Sequence, residues 1–261
     1  MLVYYYNDIR ENFFMFSTQH FIWLAISVVI AVGMFFIYKR FRLSFDAVLN
    51  IMLVMSLCSE TTKMFCNMIP APDGRTGMIL DPGDLPLHLC SLQIFFMFAL
   101  KFFIKSEKGK ENMLAFMCPS MIIGAVMALL IPTVGTGFDV IQVYQYFIFH
   151  AFLIFFASYI LKERLVKWRW KHYLQNIAYL GGIAMVMMWL NSALSGVLGR
   201  VNFMYLVRPP MENLPILNLD HGWGVYFVTL MTVAIVLVGI FHAIVMFCTT
   251  RKNKKIEDPE I

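Results

Sequence analysis

Residues 141–161 read IQVYQYFIFHAFLIFFASYIL, and this mostly apolar run contains no Asp, Glu, Lys or Arg. A helix of about 20 such residues covers the hydrocarbon thickness of a bilayer. Six further blocks of the chain have the same character. The sequence therefore predicts an all-α, polytopic membrane protein with seven transmembrane helices, whose spans are about 17–38, 45–68, 85–104, 112–131, 141–161, 173–195 and 223–248.

The composition of the whole chain supports this fold class. Of its 261 residues, 60% are hydrophobic and 14% are charged, whereas soluble domains hold about 45–50% apolar and 25% charged residues. A monomer of this size cannot bury so many apolar side chains. The composition excludes an ordinary soluble domain, a disordered chain and a nucleic-acid-binding protein. The short loops leave no room for a separate soluble domain, so residues 1–261 are predicted to form one transmembrane domain.

The basic residues predict the orientation of the chain. Of the 21 Lys and Arg residues, 16 follow predicted spans one, three, five and seven. Loops rich in Lys and Arg stay in the cytoplasm under the positive-inside rule. The N-terminus is therefore expected outside and the C-terminus in the cytoplasm. The four basic clusters lie at 39–42, 101–110, 162–171 and 251–255.

Cysteine and histidine spacing gives no support for a metal site. The 5 Cys and 6 His are scattered, and no CxxC pair or other zinc-type spacing occurs. We expect neither a bound metal nor a cofactor.

Predicted span two carries a stripe of polar residues. Ser56, Glu60, Lys63 and Asn67 are spaced so that they share one helix face. Ionisable side chains inside a membrane are costly and are candidates for function. Glu60 and Lys63 can form an ion pair that fixes helix packing, or they can line a working cavity. The spacing leaves both interpretations open.

Predicted span three opens with polar residues. Asp84 is expected to cap this helix, and Cys90 lies about 8 Å below its outer end at 1.5 Å per residue. The positive end of the helix dipole favours a thiolate there. His88 points to nearly the opposite side of the helix, whereas Gln93 shares the face of Cys90. Taken alone, Cys90 also suits inert apolar packing.

Predicted span five carries a second polar stripe of Gln142, Tyr146 and His150. His150 lies about 14 Å deep, where a histidine either bridges helices or takes part in catalysis. Together with Asn191 of span six, the polar residues of four helices fall in the outer half of the membrane. His242 lies instead near the cytoplasmic side, where we expect it to serve packing. The sequence therefore predicts a polar cavity that opens toward the outer leaflet.

A Cys and a His on different helices at similar depth can act as a nucleophile and its base. The thiolate would attack an ester carbonyl, and the His would pass the thiol proton to the leaving alcohol. The esters available in the outer leaflet are those of phospholipid acyl chains. Glu60 or Tyr146 could orient His150, and the oxyanion could be held by Gln93, His88 or Asn191.

The segment LPLHLCSL at residues 85–92 resembles the hallmark of the YwaF-like bacterial integral membrane family, which is related to the eukaryotic transmembrane protein 164 family. Weaker similarities cover the rest of the chain: STQH at 17–20, Glu60, the pair Phe149-His150, and NFMYL at 202–206 followed by Pro209 and Pro210.

The resemblance implies a cysteine-dependent acyltransferase that moves acyl chains between phospholipids in a bacterial cell membrane. Cys90 matches the proposed catalytic cysteine of the eukaryotic branch, and His150 matches its partner. The acceptor would be a lipid or a lipidated molecule. Further residues expected to have a substrate-binding or structural role are Lys63, Gln142, Asn202, Tyr205 and His221.

Three alternatives stay open at this stage. Hydrolysis of the acyl ester needs the same residues. A small-solute or ion-coupled transporter would use Glu60, Lys63 and His150 as relay or gating groups. A non-catalytic seven-helix binding protein would use the aromatic spans as contact surfaces. The sequence does not fix the acyl donor, the acceptor or the oligomeric state.

Overall fold

A computed structural model describes residues 15–70, 77–80, 82–135, 137–198, 201–211 and 214–257. Within these ranges the fold is all-α, apart from one short antiparallel hairpin in which Met68 pairs with Leu80. The elements in chain order are α1 (Thr18–Phe41), α2 (Phe45–Cys66), β1 (Met68–Pro70), β2 (Met78–Leu80), α3 (Leu89–Phe98, continued by a π-helical turn Ala99–Phe103), α4 (Glu107–Leu130), α5 (Ile141–Lys162), α6 (Trp170–Leu198) and α7 (Trp223–Glu257).

Six of these helices, all except α3, are long and apolar enough to cross a membrane. This confirms a multi-pass membrane protein. The third predicted span is shorter than expected, because α3 with its π-helical turn covers only Leu89–Phe103. At 1.5 Å per residue that is about 22 Å, less than the roughly 30 Å hydrocarbon core.

The start of α3 corrects the sequence prediction. Asp84 does not cap this helix, since it ends a separate 3₁₀ turn at Pro82–Asp84. The residue at the N-cap position is His88, with φ −77° and ψ 151°. Pro86 lacks a backbone N–H and disfavours helical geometry in the residue before it. These constraints disfavour a helix that starts directly after Asp84. The helix begins at Leu89, and Cys90 is its second residue.

The core is built around α5, which packs against α1, α2 and α4. Its side chains Phe147, Phe155 and Phe156 are fully buried. Helices α1, α6 and α7 each expose large apolar residues on their outward faces, such as Val28, Val186 and Ile244. Side chains of this type on outward faces are suited to contact with lipid tails.

One end of the bundle is defined by contacts between helix ends. His20 at the start of α1 lies 2.8 Å from the carbonyl of Leu129 near the end of α4, and Trp23 stacks on Phe147 near the start of α5. The β-hairpin that follows α2 lies in the connection to α3. We call this the hairpin end of the bundle; α3 and α5 begin there.

The opposite end of the bundle also holds buried polar residues. This differs from the sequence prediction, which placed the polar residues of the spans in the outer half of the membrane. His172, Asn176 and His242 are almost completely buried. The amide of Asn176 donates to the carbonyl of Ala115 over 2.8 Å and lies 3.5 Å from Nε2 of His242. His242 thus joins α6 and α7, as expected of a packing residue, but the half of the bundle that contains it is not purely apolar.

Candidate functional site

The polar stripe of α2 faces the interior of the bundle. Ser56, Glu60 and Asn67 are buried, and the side chain of Lys63 is only 16% exposed. Glu60 forms an ion pair with Lys63 and accepts a 3.0 Å hydrogen bond from the hydroxyl of Ser91 on α3. Pairing and hydrogen bonding lower the cost of burying these charges. This network joins α2 to the start of α3.

Cys90 lies beside this network and opposite α4. Its neighbour in the chain, Ser91, is the residue that binds Glu60. The cysteine packs on the main apolar cluster but keeps part of its surface accessible. A Cβ added to Gly124 would lie 3.4 Å from Sγ of Cys90, in van der Waals contact. The glycine therefore lies directly next to the sulfur, with room between them for about one methyl group.

The N-cap residue of α3 provides no side-chain cap. The side chain of His88 makes no capping hydrogen bond, and the first helical hydrogen bond runs from the amide of Leu92 to the carbonyl of His88 over 2.9 Å. The first amides of a helix have no acceptor within the helix, and together with the positive end of the helix dipole they attract negative charge.

His150 is buried on α5 in a defined tautomer. Its Nδ1 lies 2.7 Å from the carbonyl oxygen of Tyr146. Because a carbonyl only accepts hydrogen bonds, Nδ1 must carry the proton, and Nε2 keeps its lone pair. Nε2 has no hydrogen-bond partner in the part of the chain that the structure describes. A neutral imidazole held in this way is suited to accept a proton.

Tyr146 contacts His150 one helical turn away on α5. Its ring centroid lies 4.4 Å from that of His150. Its hydroxyl donates a 2.9 Å hydrogen bond to the carbonyl of Ala128 near the end of α4. Glu60 binds Ser91 and Lys63 instead. Of the two residues predicted to orient His150, Tyr146 is therefore the one that contacts it.

Two amides predicted for an oxyanion site are used elsewhere. Asn191 donates to the carbonyl of Phe203 over 3.1 Å and accepts from its amide over 2.7 Å. Gln93 donates to the hydroxyl of Ser120 over 3.1 Å and to the carbonyl of Leu89 over 3.2 Å. The Asn191 bonds join α6 to the loop before α7, and the bond from Gln93 to Ser120 joins α3 to α4.

The loop before α7 is fastened close to His88. The His88 ring centroid lies 5.1 Å from that of Tyr205. Tyr205 has a φ of 55°, in the left-handed region, and its carbonyl accepts a hydrogen bond from the hydroxyl of Tyr226. Asn202 accepts from the amides of Val207 and Arg208 over 3.1 and 3.2 Å. Asn202 thus organises the loop that presents Tyr205.

The remaining predicted residues lie outside this set of contacts. His221 is exposed in the connection before α7, and Gln142 is half-buried in the first turn of α5. Within the described ranges, no group of three or more His, Cys, Asp or Glu side chains is arranged to hold a metal ion.

Sequence reasoning missed Gly124 and Ser91. The signal for Ser91 was its place in the LPLHLCSL segment, directly after Cys90. A glycine inside a helical run usually marks close packing, but the sequence did not say which residue faces Gly124.

Comparison with known proteins gives one family. No curated protein and no solved structure matches the chain. The model described as the TMEM164 family matches residues 15–242, a range that includes Cys90, Gly124, Tyr146 and His150. The chain therefore belongs to the TMEM164 family.

Proposed function

We propose that the protein is a membrane-embedded acyltransferase that acts on the acyl esters of phospholipids, with Cys90 as nucleophile and His150 as base. The observation that carries the proposal is the position of Cys90. It is the second residue of a helix whose N-cap residue makes no side-chain capping hydrogen bond, and its sulfur lies next to Gly124, the residue without a side chain. The protonation of His150 at Nδ1 supports a basic Nε2.

The first half of the reaction forms a thioester. Nε2 of His150 takes the proton of the Cys90 thiol, and the sulfur attacks the ester carbonyl of a phospholipid. The amides at the start of α3 stabilise the negative oxygen of the tetrahedral intermediate. The bond from carbonyl carbon to ester oxygen then breaks. His150 returns the proton to the leaving alcohol, which departs as a lysophospholipid.

The second half transfers the acyl group. An acceptor alcohol of a second lipid gives its proton to His150 and attacks the thioester carbonyl. The carbon–sulfur bond breaks, and the thiolate regains the proton from His150. Water in place of the alcohol would make the protein an acyl hydrolase. Product analysis with a labelled phospholipid and a lysophospholipid acceptor distinguishes the two outcomes.

We expect activity to fall stepwise as the side chain at position 124 grows. Gly124→Ala places a methyl group in ordinary contact with the sulfur, 3.4 Å away, so a moderate loss is expected. Gly124→Leu fills the space that the ester carbonyl must enter, and acyl transfer should fall by about 100-fold or more, because small misplacements at a reacting centre are costly. Transfer between labelled phospholipids in vesicles measures both losses.

The matched control for position 124 is another helical glycine. An added Cβ at Gly181 of α6 would have no neighbour within 4 Å, so Gly181→Ala and Gly181→Leu should keep full activity. Purified amounts and melting temperatures show whether each variant folds. Full transfer by a folded Gly124→Leu protein would contradict a role for this space.

We further propose that the hairpin end faces the outside of the cell membrane. The basic residues cluster at or just beyond the C-terminal ends of α1, α3 and α5 and in the last turns of α7, as the positive-inside rule requires of the cytoplasmic side. A single cysteine introduced at Asp220, before α7, should react with a membrane-impermeant maleimide in intact cells. A cysteine introduced at Lys108, in the first turn of α4, should react only after the cells are permeabilised. The reverse labelling pattern would overturn this orientation.

A further inference from the structure

A groove runs between α2 and α5 on the outer surface of the helix bundle, with a volume of about 230 Å³. Several of its residues are exposed, including Cys58, Ile141 and Tyr144. Because both helices are membrane spans, this surface lies within the bilayer. The lining residues are Met55, Cys58, Ser59, Thr62, Ile141, Tyr144, Gln145, Ile148, Phe149 and Phe152.

The groove has the length of a hydrocarbon chain segment. It follows α2 from Met55 to Thr62 and α5 from Ile141 to Phe152. At 1.5 Å per residue these stretches are about 10 and 16 Å long. The groove thus runs from the helix ends at the hairpin end toward the middle of the membrane, along the direction of a lipid tail.

The lining offers an occupant mainly apolar contacts. Ser59 and Gln145 are hydrogen-bonded to each other over 2.7 Å. The hydroxyl of Thr62 donates to the carbonyl of Cys58, and that of Tyr144 donates to the carbonyl of Phe138. No charged residue lines the groove. Such a surface suits a hydrocarbon tail and not a polar head group.

The groove borders the candidate site through Phe149. This residue lines the groove and contacts His150, with ring centroids 5.5 Å apart. Met55, Phe149 and Phe152 also belong to the large apolar cluster against which Cys90 packs.

We propose that this groove binds one acyl chain of a membrane phospholipid and holds it while its ester lies at Cys90. The link to the ester rests on the proposed acyl transfer. The occupancy of the groove by a lipid tail rests only on its position, its length and its apolar lining. The depth at which the groove ends, near Met55 and Phe152, would then set the preferred chain length.

The test uses photocrosslinking with the Cys90→Ala protein, which cannot turn the lipid over. The protein is reconstituted in phosphatidylcholine vesicles that contain a phosphatidylcholine with a diazirine in the middle of one acyl chain. After irradiation, mass spectrometry of peptides maps the adducts. We expect them to concentrate at 55–62 and 141–152. Ile148→Trp should reduce labelling there by about tenfold, the effect of roughly 1.4 kcal/mol in affinity.

The control replaces an equally apolar residue on a different surface. Val186 of α6 is 54% exposed, and Val186→Trp should leave groove labelling unchanged. Adducts spread evenly over the exposed faces of α1, α6 and α7 would show only surrounding bulk lipid and would overturn the proposal. Protein–protein adducts through the groove would overturn it in favour of a second copy of the chain. Met55→Trp serves as a second blocking variant if Ile148→Trp does not fold.

The outcome separates this proposal from the proposed function. Groove labelling in a protein whose wild type transfers no acyl groups would retain the lipid site and reject the acyl transfer. An active wild type with evenly spread labelling would reject the groove alone. If both proposals hold, Ile148→Trp should shift the preference of the active protein toward shorter acyl chains, whereas Val186→Trp should not.

Discussion

Cys90→Ala is expected to abolish acyl transfer while the protein still inserts in the membrane at normal levels. The methyl group cannot form the thioester, and removing a nucleophile typically costs a factor of about 10³ or more. The structural cost is small, because Cys90 is only half-buried and its neighbours Glu60 and Ser91 keep their mutual hydrogen bond. Transfer of a labelled acyl chain between phospholipids in vesicles measures the loss.

Other cysteines of the chain provide the controls. Cys58 is exposed on α2, and Cys118 is buried in α4, where its thiol contacts the carbonyl of Ala157. Cys58→Ala and Cys118→Ala should keep transfer activity per folded molecule. Intact-protein mass spectrometry should detect an acyl adduct on the wild type but none on Cys90→Ala. Full transfer by Cys90→Ala would rule out the cysteine mechanism.

His150→Gln is expected to slow acyl transfer by a factor of about 10² to 10⁴, the usual contribution of a general base. Glutamine has a similar polar reach but cannot take up the thiol proton. The loss should appear in kcat, with a smaller change in KM, because His150 is proposed to act on the thiol and not on substrate affinity. Adding imidazole to a His150→Ala protein should restore part of the rate.

His242 is the matched control for His150. Both are buried, and Nδ1 of each lies near the carbonyl of the residue four positions earlier, at 3.0 Å for His242 and Val238. Nε2 of His242, however, faces Asn176 at the opposite end of the bundle. His242→Gln should lower the melting temperature without a loss of kcat in the folded protein. Equal losses of kcat in both variants would indicate that His150 serves stability alone.

The local pattern predicted much of the site. The spacing of Ser56, Glu60 and Asn67 placed them on one face of α2, and the structure buries all three. The spacing of Tyr146 and His150 likewise placed them together on α5, where their rings are in contact. Helical periodicity is a local property, so it can be read before any packing is known.

Predictions of which residues from different segments meet were less accurate. Asn191 was expected near the reacting groups, but its amide holds the backbone of Phe203. Asp84 was expected to cap α3, but it ends a separate 3₁₀ turn and the helix begins only at Leu89. The sequence identifies Asn191 as polar and buried in a span, but it does not specify which backbone groups meet that side chain.

The sequence by itself determined the membrane class, the apolar blocks and the polar stripes, because composition and helical period need no knowledge of neighbours. Only the tertiary structure decided that Gly124 faces Cys90 and that a groove lies between α2 and α5. Each of these features is formed by residues on different helices. They depend on how the helices pack, and a one-dimensional pattern does not contain that information.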